Sequence, residues 1–278
     1  MSTVLETIDG GTQYLEKRGV EDARRNMQML VAHFLKCTRM DLYLQFDRPM
    51  EEADLVPLRE ALKKRGERVP LQHILGTVWF HKREFKTDAR ALIPRPETEE
   101  LVELILADSL PETQSVLDMG CGSGVLGLSL AGERPGWQVT LADVSQDALD
   151  LTRENATALE IQNFTTVCSD LFETINDTFD GIAANLPYVP ETDRPGLERE
   201  VTYDPDLALF GGRDGLDIIR KFLPDAFSRL NPGGWIALEI GHDQASQVRE
   251  LLSNCGFTQI EVKSDLSGIP RFPIARRG

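Results

Sequence analysis

The sequence has few cysteines, and their spacing argues against two kinds of site. The four cysteines, Cys37, Cys121, Cys168 and Cys255, form no CxxC pair and no cluster with metal-ligand spacing. We therefore expect buried free thiols and no bound metal. Unpaired cysteines of this kind are typical of a reducing compartment such as the cytosol.

Basic residues are scarce relative to acidic ones. The chain has 30 lysines and arginines against 45 aspartates and glutamates, which gives a formal net charge of −15. Proteins that bind nucleic acids neutralise the phosphates with lysine and arginine. The balance therefore argues against direct binding of RNA or DNA, although a local basic patch is compatible with it.

Long apolar runs are also missing. No run approaches the ~20 apolar residues that span a bilayer. The first residues lack the basic and apolar regions of a secretory signal. We expect a cytoplasmic protein that has no membrane partner.

Apolar residues make up 41 % of the 278 residues, which is enough for well-packed cores. Apolar positions at helical spacing predict a small bundle with helices over residues 4–15, 21–35 and 51–64, the first of them interrupted near Gly10. No catalytic or metal-binding constellation is visible in this bundle, so we expect it to serve packing or substrate docking.

The pattern changes after the bundle, and the chain divides into three parts. We predict a helical domain over residues 1–75, a hairpin linker over residues 76–95 and a larger domain over residues 96–278. This length suits two modest domains or one large one.

The larger domain alternates short apolar strands with helices. We predict strands over residues 115–118, 139–143, 165–168, 181–184 and 235–240, with two more over 258–262 and 271–275 that close the sheet. Alternation of this kind predicts an α/β fold with a mostly parallel, doubly wound sheet, and such sheets bind ligands at the carboxyl ends of their strands.

A glycine-rich loop, Asp-Met-Gly-Cys-Gly-Ser-Gly over residues 118–124, follows the first of these strands. Residues 122–127 match GxGxxG, and Asp143 lies about 20 residues beyond, as in a dinucleotide site. However, Asp118 and the early Gly120 resemble the first motif of class I S-adenosylmethionine-dependent methyltransferases. In that interpretation Asp143 accepts from the ribose hydroxyls and Asp170 accepts from the adenine amino group. A dinucleotide site and a turn without a ligand remain the alternatives.

The tetrad Asn185-Leu186-Pro187-Tyr188 follows the fourth strand. An sp² NH₂ group is a poor nucleophile because its lone pair is delocalised. The Asn185 side-chain oxygen and the Leu186 carbonyl can accept its two hydrogens, and Tyr188 can pack on the planar group. Pro187 favours extended backbone at Leu186, which helps to fix the direction of the carbonyl. Taken without the glycine loop, the tetrad is equally a turn with Tyr188 in the core.

These motifs together resemble those of the HemK/PrmC family, the protein-(glutamine-N5) methyltransferases. The most discriminating segment is Ile-Pro-Arg-Pro-Glu-Thr-Glu over residues 93–99, because the related ribosomal-protein methyltransferases differ after Pro-Arg. The resemblance covers nearly the whole chain, including the helical N-terminal region and residues 92–99, 118–124, 185–188, 197–201, 207–216 and 238–241.

The resemblance implies a class I methyltransferase (Rossmann-like) domain over residues 96–278, preceded by a helical substrate-docking domain. It implies S-adenosylmethionine as donor, S-adenosylhomocysteine as product, and the glutamine of the Gly-Gly-Gln motif of peptide chain release factors as acceptor. The catalytic residues would be Asn185, Leu186, Pro187 and Tyr188. The cofactor-binding residues would be Asp118, Gly120, Cys121, Gly122, Gly124, Asp143, Asp170, Leu171 and Asn185.

The chain departs from the family pattern at two places. Most members have proline where this chain has Leu186, which keeps the carbonyl but weakens backbone preorganisation. The family's C-terminal motif, DLxG followed by arginine, corresponds here to residues 265–271. Ile-Pro stands directly before Arg271, which is unusual, so we assign Arg271 no role. Arg95 and Glu97 either order the acceptor pocket or form a structural ion pair.

Two other functions compete with this interpretation. Asn-Leu-Pro-Tyr also occurs in adenine-N6 methyltransferases of rRNA, although the net charge and residues 95–99 argue against an RNA or DNA substrate. The other is a non-catalytic scaffold that binds S-adenosylmethionine, against which the intact Asp118, Gly120, Asp143 and Asn185 argue. We expect a monomer.

Overall fold

The computed structural model describes residues 2–278, which divide into two compact units. One unit comprises the residues up to Thr77 together with Glu198–Tyr203, and the other comprises Val78–Leu197 and Asp204–Gly278. Within residues 2–278 no helix has both the length and the apolar character needed to cross a membrane.

The helical unit packs its helices around a core that includes Ile8, Leu15, Met27, Leu30 and Leu58. Its helices are α1 (Val4–Glu16), α2 (Ala23–Phe34), α3 (Glu52–Gly66) and α4 (Leu71–Leu75), with a 3₁₀ turn over Asp41–Leu44.

The predicted interruption of the first helix is wrong. Helix α1 runs without a break through Gly10 and Gly11 and starts with a capping box, in which Thr3 and Glu6 bond each other's backbone N–H. A Cβ atom at Gly11 would collide with the Met27 side chain. The glycine therefore lets α1 and α2 approach closely, and this packing outweighs its low helix propensity.

The segment Glu198–Tyr203 belongs to the helical unit, and its Glu200 pairs with two arginines. Glu200 contacts Arg65 at 2.7 Å and Arg68 at 2.6 Å. Arg65 is buried and also donates to Asn26 Oδ1 at 2.7 Å. A buried guanidinium needs such partners, because an unpaired buried charge is strongly destabilising. This gives Glu200 a structural role within this unit.

The larger unit opens with a two-stranded hairpin and continues into a seven-stranded sheet flanked by helices. Its strands are β1 (Thr77–Phe80), β2 (Arg83–Lys86), β3 (Ser115–Met119), β4 (Gln138–Asp143), β5 (Phe164–Cys168), β6 (Phe179–Asn185), β7 (Leu230–Glu239), β8 (Phe257–Ser264) and β9 (Pro270–Arg277). Its helices are α5 (Pro96–Ala107), α6 (Val125–Glu133), α7 (Gln146–Ala158), α8 (Asp206–Leu209), α9 (Asp217–Arg229) and α10 (Ala245–Asn254).

The sheet has the order β5-β4-β3-β6-β7-β9-β8. Strands β3 to β7 are parallel, and β9 is antiparallel to both of its neighbours. The predicted α/β architecture is therefore confirmed. The order reverses between β3 and β6, and ligands of such sheets bind outside the carboxyl ends of the strands at this switch point.

Alternation along the strands decides which side chains face which layer. On β6, Ile182 and Ala184 pack in one core and Ala183 packs in the opposite one. Because successive side chains point to opposite faces, Asn185 shares the face of Ala183. Asn185 is the register partner of Glu239 on β7, so the two side chains lie side by side on that face.

Candidate active site

A cavity of about 670 Å³ opens at the carboxyl ends of β3, β4 and β6. All the predicted site residues lie within the described part of the chain, and all but Gly124 and Tyr188 line this cavity. The lining residues among them are Asp118, Gly120, Cys121, Gly122, Asp143, Asp170, Leu171, Asn185, Leu186 and Pro187.

The glycine loop lines the cavity with two glycines in a left-handed conformation. Gly120 has φ +72° and Gly122 has φ +55°, a region that favours glycine. A Cβ atom at Gly120 would lie 3.0 Å from Leu186 Cδ2. The loop of β3 and the tetrad of β6 are therefore in close contact, and both this contact and the positive φ favour glycine at position 120.

Replacing Gly120 by alanine is expected to weaken S-adenosylmethionine binding about tenfold or more, because a left-handed non-glycine residue costs roughly 1–2 kcal/mol and the loop must also move away from Leu186. Isothermal titration calorimetry measures the dissociation constant. The matched control is Gly10→Ala in α1, where a Cβ atom meets nothing within 4 Å. Unchanged affinity in the Gly120 variant would contradict the assigned role of the loop.

Asp118 lies at the end of β3 and is almost fully buried. Its Oδ2 accepts from the Gly127 N–H at 2.8 Å, which ties the strand to the first turns of α6. Burial raises the pKa of Asp118 to about 7, the Gly127 hydrogen bond opposes that rise, and the nearby Asp143 adds to it. A cationic ligand in the cavity would favour the ionised form.

Asp143 ends β4 and is held by backbone donors. Its Oδ2 accepts from Gly122 N–H at 2.8 Å and its Oδ1 accepts from Ser145 N–H at 2.9 Å. Burial raises the pKa of this carboxyl as well. Asp170 and Leu171 follow β5 and line the same cavity. These acids lie where hydroxyl and amino groups of a nucleoside would find acceptors.

Gly124 has a different position from the other loop glycines. It is the N-cap of α6 with φ +82°, and a Cβ atom there would lie within 3.0 Å of Leu128 and Thr152 side-chain atoms. Its place in the structure is a tight turn into the helix, packed against α7.

The tetrad presents three of its four residues to the cavity. The Leu186 side chain is buried and packs in the core. Tyr188 does not line the cavity. Its phenol interacts electrostatically with Glu239 and Arg271, and burial is the main cause that raises its pKa. The Tyr188 carbonyl accepts from Gln244 Nε2 at 2.9 Å.

Two residues that the sequence interpretation gave no role contact Asn185. Asn185 Nδ2 donates to Thr98 Oγ1 at 3.0 Å, and Thr98 Oγ1 donates to Glu239 Oε2 at 2.7 Å. Thr98 is on the first turn of α5 and Glu239 ends β7. A glutamate directly after the apolar run of residues 235–238 was the available signal, since charged side chains are rarely buried without partners.

Burial raises the pKa of Glu239 to about 7. The Thr98 and Asn185 hydrogen bonds and the Arg271 charge oppose this rise, and Glu97 adds to it. Arg271 in turn pairs with Asp265 at 2.7 Å. Arg271 therefore lowers the pKa of Glu239 through its charge. Its unusual sequence context did not indicate this role.

Arg95 forms an ion pair and also lines the cavity. Its Nη2 pairs with Asp204 Oδ2 at 2.8 Å, and Asp204 Oδ1 accepts from the Ile93 N–H at 3.2 Å. The Asp204 side chain is fully buried. Arg95 and Pro94 also line the cavity, so the ion pair holds one of its walls.

Two protein-family models match the chain. One described as the PrmC N-terminal domain matches residues 6–76, and one described as the methyltransferase small domain matches residues 98–197. Together they cover most of the helical unit and strands β3 to β6 of the sheet.

Two relatives that match this chain over nearly its full length have the same name. The release factor glutamine methyltransferase of Geobacter sulfurreducens is 38 % identical over 278 residues, covering 99 % of this chain and 97 % of the relative. The protein of the same name from Koribacter versatilis is 36 % identical over 279 residues, covering 99 % of each.

A solved structure shares the fold of the larger part of the chain. The 16S rRNA N2 G1207 methyltransferase of Thermus thermophilus, in complex with AdoMet and guanosine, superposes with a TM-score of 0.52 at 21 % identity. The match covers 73 % of this chain and 50 % of that one. This similarity shows the class I methyltransferase fold.

Proposed function

The chain belongs to the family of release factor glutamine methyltransferases, and from this we propose that it methylates the side-chain nitrogen (N5) of the glutamine in the release factors' Gly-Gly-Gln motif. These relatives confirm the predicted family and enzyme class. The methyltransferase domain model and the AdoMet-bound structure of the same fold confirm S-adenosylmethionine as methyl donor. The observation that supports the proposed acceptor site is the position of Asn185 and Leu186 against the glycine loop, on the wall of one cavity.

The residues around the cavity fit S-adenosylmethionine. The backbone at Gly120 and Gly122 would approach its amino-acid and ribose parts. Asp143, already oriented by Gly122 and Ser145, would accept from the ribose hydroxyls. Asp170 would accept from the adenine amino group, with Leu171 beside it. Asp118 and Cys121 would line the amino-acid end.

The acceptor amide would be held by two oxygens. Asn185 Oδ1 and the Leu186 carbonyl would accept its two hydrogens, and Pro187 would shape the pocket. Such fixed acceptors stabilise the positive charge that grows on nitrogen, and in-line placement of the two reactants accounts for much of the rate. Tyr188, which does not line the cavity, would support the pocket by packing next to it.

When bound, S-adenosylmethionine would supply an activated methyl group with its own leaving group. The electron pair of the broken carbon–sulfur bond would stay on S-adenosylhomocysteine as the nitrogen–carbon bond forms. The methylated nitrogen would then lose one of its protons to solvent. The protein therefore needs acceptors and orientation for this transfer rather than a strong base.

We further infer that the helical unit contributes to release factor docking and that the protein acts as a cytoplasmic monomer without direct contact to nucleic acid. The net charge of −15 supports the last point. Methylation of adenine N6 remains the alternative, because an adenine NH₂ group could use the same two acceptors.

A substrate assay tests the proposal. The protein is incubated with S-adenosylmethionine carrying a labelled methyl group and, separately, with release factor, ribosomal protein and rRNA. We expect label on the release factor, lost when its motif glutamine is replaced. Label on rRNA but not on the release factor would refute the proposed acceptor, and cofactor binding without transfer to any substrate would favour the scaffold.

A further inference from the structure

The chain of hydrogen bonds behind Asn185 has a direction. Glu239 is 2 % exposed and Thr98 is 4 % exposed. An ionised carboxylate only accepts hydrogen bonds, and a threonine hydroxyl has one proton to give. With Glu239 ionised, the Thr98 proton is used on Glu239, so Thr98 can only accept from Asn185.

This direction selects one of two orientations of the Asn185 amide. The amide nitrogen must face Thr98, and the amide oxygen then faces the other way. We propose that Glu239 and Thr98 are positioning residues for methyl transfer, which fix the Asn185 amide so that its oxygen rather than its nitrogen meets the acceptor NH₂ group. This inference rests on the proposed function, since it concerns the same acceptor pocket.

The reversed orientation would be unproductive. A neutral Glu239 can donate to Thr98, which frees the Thr98 proton for Asn185 Oδ1. Asn185 would then direct its own NH₂ group at the NH₂ group that is to be methylated. Both groups are hydrogen-bond donors, so no hydrogen bond could form between them. The groups that face Glu239 are Glu97 on α5, Arg271 on β9 and the Tyr188 phenol, and none of them replaces the bond to Thr98.

The matched pair Thr98→Ser and Thr98→Val tests the chain directly. Serine keeps the hydroxyl, while valine keeps the shape and loses it. We expect the valine variant to lose at least tenfold in kcat for the release factor and the serine variant to stay within threefold of the wild type. Both should bind S-adenosylmethionine within twofold of the wild type. Equal activity of the two variants would overturn the proposal.

Glu239→Gln provides the second test, because glutamine can donate as well as accept and no longer dictates the direction. We expect kcat to fall at least tenfold with little change in S-adenosylmethionine affinity. The wild type should lose activity as the pH falls through about 7, where Glu239 takes up a proton, and the variant should lose this dependence. Asp118 titrates in the same range, so the difference between the two profiles is the measurement.

A pH profile and kcat that are the same in wild type and Glu239→Gln would overturn the proposal. If that variant does not fold, as judged by circular dichroism, the Thr98 pair alone decides. Failure of the proposed function is distinguishable, because there the wild type itself would not label the release factor. The kcat of each variant is therefore compared with that of the wild type, and only on a substrate that the wild type methylates.

Discussion

Asn185→Ala is expected to reduce methyl transfer by about 10² to 10³-fold, the loss typical of removing one preorganised group that stabilises transition-state charge. The variant loses the oxygen that accepts from the acceptor NH₂ group. The substitution also removes the Asn185 NH₂ donor from Thr98 and Glu239. Thr98 nevertheless keeps its hydrogen bond to Glu239. Single-turnover rates with saturating S-adenosylmethionine measure the effect on the chemical step.

The cofactor should still bind to the Asn185 variant within about threefold of the wild-type affinity, because the glycine loop and Asp143 are unchanged. Asn254→Ala is a suitable control, since Asn254 is exposed at the end of α10 in the same unit. Near-normal turnover in the Asn185 variant would refute its role. A large loss of cofactor affinity would show that the cofactor contact, which the sequence also assigned to Asn185, is its main role.

The parts of the site that the sequence predicted are those whose function depends on contiguous backbone. Glycine at positions 120 and 122 permits positive φ, and Pro187 restricts its neighbour. Such constraints are local, so they can be seen as motifs. Asp118 and Asp143 were predictable for a related reason: each ends an apolar strand, and parallel strands end at the same edge of the sheet.

The Thr98–Glu239 contact could not be predicted in this way. The two residues lie 141 positions apart, and their meeting depends on how α5 packs against β7. The meeting of Glu239 with Asn185 depends in addition on the register of β6 against β7. Register is a tertiary property that no single strand encodes. The glutamate within the apolar run showed only that a buried acid needed partners, not which ones.

The position of Tyr188 illustrates the same limit. The tetrad gives its place in the chain, but two orientations of the ring are compatible with that, against the acceptor or against the core. Its phenol lies near Glu239 and Arg271, both from other strands. In the helical unit, likewise, Gly11 lies within a continuous helix because Met27 packs against it, which no local propensity indicates.

Asp143→Ala is expected to weaken S-adenosylmethionine binding by about 10² to 10⁴-fold, since hydrogen bonds to a charged group contribute about 1.5–3 kcal/mol each and two ribose hydroxyls would lose their acceptor. The backbone N–H groups of Gly122 and Ser145 also lose their partner. Asp143→Asn should have a smaller effect, because one acceptor oxygen remains. Asp147→Asn is the control, being an exposed carboxylate on the first turn of α7.

The direction in which S-adenosylmethionine affinity changes with pH provides a second test of Asp143. Burial raises the pKa of Asp143, so on acidification its carboxylate is neutralised at a higher pH than an ordinary aspartate. The ionised form is the stronger acceptor, and wild-type affinity should therefore fall as the pH is lowered. Asp143→Asn retains Asp118, so the part of the pH dependence that disappears in this variant belongs to Asp143. An unchanged dependence, or an alanine variant that is folded and binds normally, would exclude Asp143 from the ribose site.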